Sequence, residues 1–354
     1  MKKYLLAMVG LVLGLGLLWV LFRDTDWEEV GASIRGIDLW WLGLAHVPLL
    51  LSFPFRVQRW SYIVRVEHPV SFRKLFSATQ IGFMANFAFP ARMGEPIRAL
   101  VLTRLTGIKF SKSFAFVALD RVTDLFGLIV VMAVSVLAFR PVGGVTIPAD
   151  TFGTEIVFTN AQYRGVAIFT GVFLAAVVLT FVLLYLNRDL VNRLTRKILG
   201  LVSEKLGNYV AGMLDHFADG LHIFRSPGEM IKSITLSLLT WTMSMLAMIC
   251  VFEAFHLDYP WYTPFVMQAL LAVAISVPNA PGFVGQFHVP VVLALVMTVP
   301  AIGADVAKAY AIVLHLMQLP PVFILGIYCL MREQMGLLQL QSEGEELAHE
   351  KDEG

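Results

Sequence analysis

The chain has 354 residues, of which 57% are hydrophobic and 15% are charged, and its formal net charge is +1. An ordinary soluble domain carries about 25% charged residues, so this composition excludes a soluble protein and predicts an integral membrane protein. The two cysteines, Cys250 and Cys329, lie in apolar runs and predict neither a disulfide framework nor a metal site.

Six apolar segments are each long enough to cross a hydrocarbon core of about 30 Å as a helix. The first is longer than the apolar core of a signal peptide, which has about 7–15 residues, and no small-residue cleavage site follows it, so we expect an uncleaved span. In chain order, the six predicted spans are Tyr4–Phe22, Ile37–Phe55, Ser113–Phe139, Gly165–Tyr185, Ser233–Phe255 and Asp305–Met331.

Two further apolar regions are each broken by proline and glycine, at Asn86–Arg98 and at Ser276–Gln286. The helices that flank these breaks would be only about 16–22 Å long, which is too short to span alone. Because hydrocarbon tolerates irregular backbone only where protein or a water-filled cavity satisfies it, each region is predicted to form a re-entrant hairpin. The flanking helices are predicted at Leu75–Phe89, Pro96–Thr106, Pro264–Val277 and Phe287–Val299.

Basic residues are typical of the cytoplasmic loops of membrane proteins. Lys2 and Lys3 place the N-terminus in the cytoplasm, and the basic residues of Arg56–Lys74 indicate a return to that side before the first hairpin. Acidic residues flank the second hairpin, which is therefore predicted to open to the outside. Hairpins that enter from opposite sides are typical of an inverted repeat.

These assignments predict an all-α polytopic membrane protein with about six spanning helices and two oppositely inserted re-entrant helical hairpins. An integral membrane domain is expected over residues 1–335, with inverted halves at roughly 1–139 and 164–331. Residues 187–232 are predicted to form cytoplasmic amphipathic helices, which either lie on the inner leaflet or pack as a cytosolic bundle. Residues 336–354 are predicted to be an acidic, disordered cytoplasmic tail.

The first break contains the strongest candidates for a binding site. If a helix restarts at Pro96, a favoured first helical position, its unpaired N–H groups lie deep in the membrane beside Arg92, Glu95 and Arg98. Two arginines and a helix N-terminus suit a phosphate or phosphodiester headgroup. The alternative is structural, with Arg92 and Glu95 pairing across the kink and Arg98 or Arg104 reaching the inner interface.

A second cluster lies in the third predicted span. Arg121 and Asp124 are three residues apart on a helix, so they share a face and can pair. This leaves Asp120 in excess, either to pair with Arg92 or Arg98 across the bundle or to couple transport to protons.

The second hairpin is predicted to present another helix N-terminus near Gly285, with neutral polar partners. In the last span, His315 and Gln318 share a face before a kink at Pro320-Pro321, and packing is favoured over proton relay for the histidine. The full set of predicted substrate-binding residues is Asn86, Arg92, Glu95, Arg98, Arg121, Asp124, Asn279, Gln286 and His288.

At these motifs the chain resembles the transmembrane region of bacterial lysylphosphatidylglycerol synthases and their free-standing relatives. The resemblance extends from the first span to about Met331. It implies a polytopic fold with two re-entrant elements and a role in moving lipid between leaflets. The motifs that carry it are Arg59-Trp60, Pro90-Ala-Arg-Met-Gly-Glu-Pro-Ile-Arg98, Asp120-Arg-Val-Thr-Asp124 and Pro278-Asn-Ala-Pro-Gly-Phe-Val-Gly285.

In the full-length synthases, this region translocates the aminoacylated lipid that a separate soluble domain makes. We expect a free-standing member without the synthase domain, so lysyl transfer is not carried over. Gln286 stands where many relatives have a glutamate, so no acidic role is expected there. Other relatives carry glycosyltransferase domains, which implies lipid-linked glycan precursors as one cargo.

The predicted function is translocation of an anionic lipid, either a phospholipid or a polyprenyl-phosphate-linked lipid, through a central cavity lined by the two hairpins. No catalytic residue, metal, cofactor or nucleic-acid partner is expected, and replacing Arg98 with alanine is expected to abolish transport without unfolding. Two alternatives are a membrane lipid-phosphate transferase and a scaffold for a lipid-modifying synthase or glycosyltransferase. The expected location is the bacterial cytoplasmic (inner) membrane, with both termini in the cytoplasm.

Overall fold

The structure is a computed structural model that describes residues 2–65, 68–90, 92–141, 144–200, 203–204, 207–208, 210–212, 214, 227–276, 280–299 and 302–349. These residues are almost entirely α-helical, apart from a two-stranded antiparallel ribbon in which Val145 pairs with Phe158 and Ile147 with Ile156. The prediction of an all-α polytopic membrane protein is confirmed.

The helices are α1 (Lys2–Phe22), α2 (Trp27–Arg35), α3 (Leu39–Val64), α4 (Phe72–Ala88), α5 (Gly94–Thr106), α6 (Phe110–Ala138), α7 (Ala149–Phe152), α8 (Asn160–Leu186), α9 (Arg188–Gly200), α10 (Pro227–Ala254), α11 (Thr263–Ala274), α12 (His288–Thr298), α13 (Ala304–Leu316), α14 (Leu319–Arg332) and α15 (Leu337–His349). The strands are β1 (Val145–Ile147) and β2 (Ile156–Phe158), and a 3-10 turn at Pro281–Phe283 lies between α11 and α12.

Several of these helices are long and apolar enough to cross a membrane. Within the part of the chain that the structure describes, four stretches pass this test, and α2 with α3, bent by 82°, makes a fifth. The four stretches are Phe110–Ala138, Gly228–Ala254, Pro281–Thr298 and Ala304–Arg332. All six spans predicted from the sequence fall on helices, with the first and fourth inside α1 and α8.

The first interrupted region forms a helical hairpin, in which α4 and α5 pack side by side. Asn86 makes the turn, because its Oδ1 accepts a hydrogen bond of 2.8 Å from the backbone N–H of Gly94 at the start of α5. Gly94 lies against the backbone of Gly82 so closely that a side chain would overlap it. The insertion of this hairpin into the membrane stays a prediction.

Replacing Gly94 with alanine is expected to loosen this hairpin. The added Cβ would overlap the Gly82 carbonyl oxygen and the Asn86 side chain, and backbone cannot move aside as a flexible side chain can. Overpacking of this kind costs about 1–3 kcal/mol, so we expect a clear fall in the unfolding temperature in detergent. The matched control is Gly16→Ala in α1, where nothing lies within 4 Å of the added Cβ. Equal unfolding temperatures for the two variants would contradict the close packing of α4 on α5.

The second interrupted region contains a tight break between α11 and α12. Gly282, Phe283 and Gly285 have φ angles of 70°, 57° and 79°, which is the left-handed region that favours glycine. The helix α1 packs against this break at Gly14, where an added Cβ would lie 2.7 Å from the Cβ of Ala280. The break is therefore held between α1 and the bundle.

The last predicted span is broken near its centre. The helix α13 ends at Leu316, and α14 begins at Leu319 with prolines in its first turn. The break lies at Met317 and Gln318, just before Pro320-Pro321, whereas the kink was predicted beyond Gln318 on a helix shared with His315. It places Gln318 at the junction, where the helical backbone hydrogen bonds are interrupted.

Helix α3 is longer than the sequence analysis predicted. The second span was expected to end at Phe55, with Arg56 and Arg59 in a cytoplasmic loop, but α3 continues to Val64. Arg59 is only 1% exposed. Its charge is buried because carboxylates on α6 pair with it, and the sequence of α3 alone does not reveal these partners.

The tail also differs from its prediction. Residues from 336 onward were expected to be disordered, but Leu337–His349 forms α15. Leu340 on this helix is fully buried in the apolar cluster that includes α5, and Glu343 pairs with Arg104 of α5. Apolar burial on the first hairpin therefore orders a segment whose acidic composition alone predicts disorder.

Candidate functional site

A network of charged side chains joins α3, α5 and α6 within the helical bundle. It contains five arginines and three carboxylates, and each carboxylate contacts two guanidinium groups. The arginines are Arg56, Arg59, Arg92, Arg98 and Arg121, and the carboxylates are Glu95, Asp120 and Asp124.

Asp120 bridges two of the three helices. Its Oδ1 lies 3.0 Å from Arg59 Nε, and its Oδ2 lies 2.8 Å from Arg98 Nη1. All three side chains are almost completely buried. Of the partners predicted for this excess carboxylate, the pairing with Arg98 is confirmed.

Asp124 lies one turn further along α6 and is held by groups from two other helices. From α3, Arg59 pairs with its carboxylate, and Arg56 Nη1 lies 3.8 Å from Oδ2. From α10, the hydroxyl of Ser237 donates to Asp124 Oδ1 at 3.3 Å, and Trp241 Nε1 donates to the Asp124 backbone carbonyl oxygen at 3.4 Å. The predicted partner of Asp124, Arg121, pairs elsewhere.

Glu95 binds the remaining two arginines through one oxygen. Its Oε1 lies 3.2 Å from Arg92 Nη2 and 3.1 Å from Arg121 Nη2. The other guanidinium arm of Arg92 donates a 3.1 Å hydrogen bond to the backbone carbonyl oxygen of Ile275, at the end of α11. Arg92 therefore connects the turn of the first hairpin to the second, and the Arg92–Glu95 pair considered as the structural alternative is present.

A partly open cavity of about 210 Å³ has walls from α3, α4, α6, α10, α11 and α14. The charged residues among those that line it are Arg56, Arg92 and Arg121. The remaining lining residues are polar (Ser52, Asn86, Ser244 and Gln318) or apolar (Leu49, Phe53, Phe83, Phe87, Leu271, Ile275, Phe283, Phe287 and Val322). The cavity is thus an apolar chamber with three guanidinium groups on its wall.

Arg98 does not line this cavity. Its guanidinium lies 3.7 Å from the ring centroid of Trp60 on α3, and it is 2% exposed. Trp60 in turn donates from Nε1 to the backbone carbonyl oxygen of Phe116 on α6, at 3.1 Å. Arg98 therefore holds α3, α5 and α6 together, and its replacement by alanine is expected to affect folding, contrary to the expectation from sequence.

Of the candidates from the second hairpin, Gln286 and His288 do not line the cavity. His288 is buried against Phe22 of α1 and against His315, with ring centroids 6.0 Å and 4.8 Å away. His315 Nε2 lies 2.7 Å from the backbone carbonyl oxygen of Gly282, in agreement with a packing role. Gln286 is also buried, and Asn279 lies outside the described residues.

The structure brings together only part of the predicted set. Asn86, Arg92 and Arg121 line the cavity, with Glu95 and Asp124 holding its arginines from behind. Sequence reasoning missed the site roles of Arg56, Ser237 and Trp241. The signal for Arg56 was present, because two carboxylates one helical turn apart inside an apolar span require cations on neighbouring helices.

The described residues contain no group of three or more histidine, cysteine or acidic side chains placed to hold a metal ion. The site as described therefore consists of ionic and hydrogen-bonding groups around an apolar chamber. Such an arrangement can bind a negatively charged group.

Comparison with known proteins assigns the chain to a family. Its sequence matches the family described as "Lysylphosphatidylglycerol synthase TM region" over residues 7–326. It is also 24% identical over 356 residues to the glycosyltransferase AglD of Haloferax volcanii, covering 96% of this chain and 56% of that protein. A UPF0104 membrane protein of Methanothermobacter thermautotrophicus is 24% identical over 270 residues, covering 73% of this chain and 75% of that protein.

The chain therefore belongs to the lysylphosphatidylglycerol synthase TM region family, as the resemblance in its motifs implied. It spans little more than half the length of AglD, so the activity that this relative's name states is a property of that protein. Both named relatives are archaeal.

Proposed function

We propose that this family member moves an anionic lipid between the two leaflets of its membrane. The headgroup passes through the cavity between the hairpins, while the hydrocarbon chains stay in the bilayer. The observation that carries this proposal is the cavity wall itself, where the charged lining residues are Arg56, Arg92 and Arg121. Family membership and the membrane-spanning helices support a lipid-related function in a membrane.

The position of the charged network along α6 supports a role in crossing the membrane. The helix α6 has 29 residues, so it is about 43 Å long. Asp120 and Asp124 lie about 15 and 21 Å from its start, close to its middle. Because ionisable residues within an apolar span are costly and usually mark a pathway, a headgroup that reaches the network has entered the span formed by α6.

The network is less suited to the enzyme alternative. A general base must accept a proton from the reacting group, and the candidates were Glu95 and Asp124. Each of these carboxylates is held between two guanidinium groups, whose positive charges stabilise its charged form. Both carboxylates are thus better placed to fix arginines than to take up protons.

The orientation of the chain belongs to the same proposal. We place both termini in the cytoplasm, with the α4–α5 hairpin open to the cytoplasm and the α11–α12 hairpin open to the outside. The sequence analysis expected a bacterial membrane, whereas the named relatives are archaeal, so the proposal concerns a cytoplasmic membrane without reference to the organism.

A leaflet-accessibility assay in liposomes tests the proposal. We expect the purified protein to move a fluorescent anionic lipid, and Ser244→Phe to abolish movement by filling the cavity that Ser244 lines. The control is Thr242→Phe, an exposed position on the same helix, which should move lipid like the wild type. Equal rates for the two variants would show that lipid does not pass through this cavity.

A further inference from the structure

The charges of the network do not balance. Three carboxylates are shared among five arginines, so the network has a formal excess of two positive charges. An uncompensated charge in a partly buried site is unfavourable, and the three arginines on the cavity wall are 20–33% exposed, so the excess favours an anion in the cavity. This excess is a feature that the proposed function alone does not explain.

The excess is divided between two sides of the network. On one side, Arg56, Arg59 and Arg98 share the two aspartates. On the other, Arg92 and Arg121 share the single carboxylate oxygen Oε1 of Glu95. Each side therefore carries one positive charge in excess, and both sides reach the same cavity through Arg56, Arg92 and Arg121.

The arginines on the cavity wall have donors that are not used within the described part of the chain. Arg56 Nη1 lies 3.8 Å from Asp124 Oδ2, which is beyond hydrogen-bond distance. Arg121 Nε has no hydrogen-bond partner among the described residues but is itself buried. The Arg92 and Arg121 side chains as a whole are 32% and 33% exposed, so both present surface to the cavity. A cavity of about 210 Å³ has the volume of about seven molecules of liquid water, which is room for a phosphate group between these donors.

We infer that the cavity selects a headgroup with two negative charges, namely a lipid phosphomonoester such as phosphatidic acid or a short polyprenyl phosphate. A phosphomonoester carries about −1.5 to −2 at pH 7 and offers three terminal oxygens, one for each arginine on the wall. A phosphodiester such as phosphatidylglycerol carries one negative charge, so one of the two excess positive charges stays unbalanced. That the ligand is a lipid rests on the proposed function. That its headgroup carries two negative charges rests on the charge count of the network.

Binding in detergent tests the inference without requiring transport. The unfolding temperature of the purified chain is followed as dioctanoyl phosphatidic acid, farnesyl phosphate, dioctanoyl phosphatidylglycerol or inorganic phosphate is added at pH 8, since a ligand of the native state raises this temperature. We expect both lipid phosphomonoesters to bind at least tenfold more tightly than phosphatidylglycerol. Equal affinity for phosphatidic acid and phosphatidylglycerol would overturn the inference. Equal protection by inorganic phosphate would assign the site to free phosphate and overturn the lipid assignment.

Two substitutions to glutamine vary the charge excess in opposite directions. Arg121→Gln lowers the excess by one and should reduce the preference for phosphatidic acid to about twofold or less. Glu95→Gln raises the excess by one and should increase that preference, which a variant that merely folds poorly cannot do. Arg35→Gln, at an exposed arginine on α2, is the control and should bind like the wild type. A preference that is the same in all three variants would overturn the inference.

The outcome separates this inference from the proposed function. If the lipids bind with the expected preference but no lipid moves in liposomes, the site assignment stands and the transport proposal fails. If lipids move but phosphatidic acid and phosphatidylglycerol bind equally, transport stands and the charge inference fails.

Discussion

Arg92→Gly is expected to abolish lipid movement in liposomes while leaving the unfolding temperature within a few degrees of the wild type. Arg92 has a φ angle of 58°, in the left-handed region, at the turn of the first hairpin. Residues other than glycine hold this conformation at a cost of about 1–2 kcal/mol, whereas glycine adopts it freely. The substitution therefore relieves backbone strain at the same position where it removes a guanidinium.

The loss of contacts at Arg92 is of similar size to this gain. The side chain gives up an ion pair with Glu95 and a hydrogen bond to Ile275, each worth about 1 kcal/mol at a partly exposed position. Because strain relief offsets much of this loss, stability should change little. Transport should be lost, because the cavity wall loses the arginine that connects the two hairpins.

Arg92→Lys serves as the companion variant. It keeps the positive charge and the strained φ angle but cannot contact Glu95 and Ile275 with one planar group. We expect partial transport and no gain in stability. Normal transport by a folded Arg92→Gly protein would show that Arg92 serves only to fix the kink, which is the structural alternative considered from the sequence.

The breaks in the two hairpins were predictable because their causes are local. Proline removes a backbone donor and glycine permits close backbone approach. Pro90 and Gly94 therefore predict the first turn whatever surrounds it. The structure adds what the turn contacts, namely Gly82 of α4 and Ile275 of the second hairpin. These contacts depend on the packing of segments far apart in the chain.

The ion pairs show where sequence reasoning reaches its limit. A spacing of three placed Arg121 and Asp124 on one helical face, but a shared face permits a pair without requiring it. In the structure, Glu95 on α5 takes Arg121, while Arg56 and Arg59 on α3 take Asp124. Which residues pair depends on which helices are neighbours. The spacing of residues along one helix gives no information about its neighbours.

Arg59 shows the same limit for burial. From its charge, Arg59 was predicted to lie on the cytoplasmic side after the second span, because an isolated arginine is unfavourable within an apolar span. It is buried because Asp120 and Asp124 lie opposite it on α6. The same holds for α15, whose order depends on the burial of Leu340 against the first hairpin.

Asp120→Asn is expected to be the most destabilising single substitution in the network. Asp120 is 2% exposed and pairs with Arg59 and Arg98 through separate oxygens. Asparagine fills the same space but removes the negative charge, which leaves two buried guanidinium groups without their common carboxylate. Removing one partner of a buried ion pair costs about 3–5 kcal/mol, so we expect a large fall in the unfolding temperature and poor recovery from the membrane.

A second substitution distinguishes the loss of charge balance from a change in packing. Arg98→Gln combined with Asp120→Asn restores the formal charge of the network, so the double variant should be more stable than Asp120→Asn alone. The coupling follows from a thermodynamic cycle of the two single variants and the double variant. Asp24→Asn, at an exposed aspartate outside the bundle, is the control and should unfold like the wild type. Additive effects of the two substitutions would show that Asp120 and Arg98 stabilise the bundle independently, and the charge excess inferred for the network would then lose its structural basis.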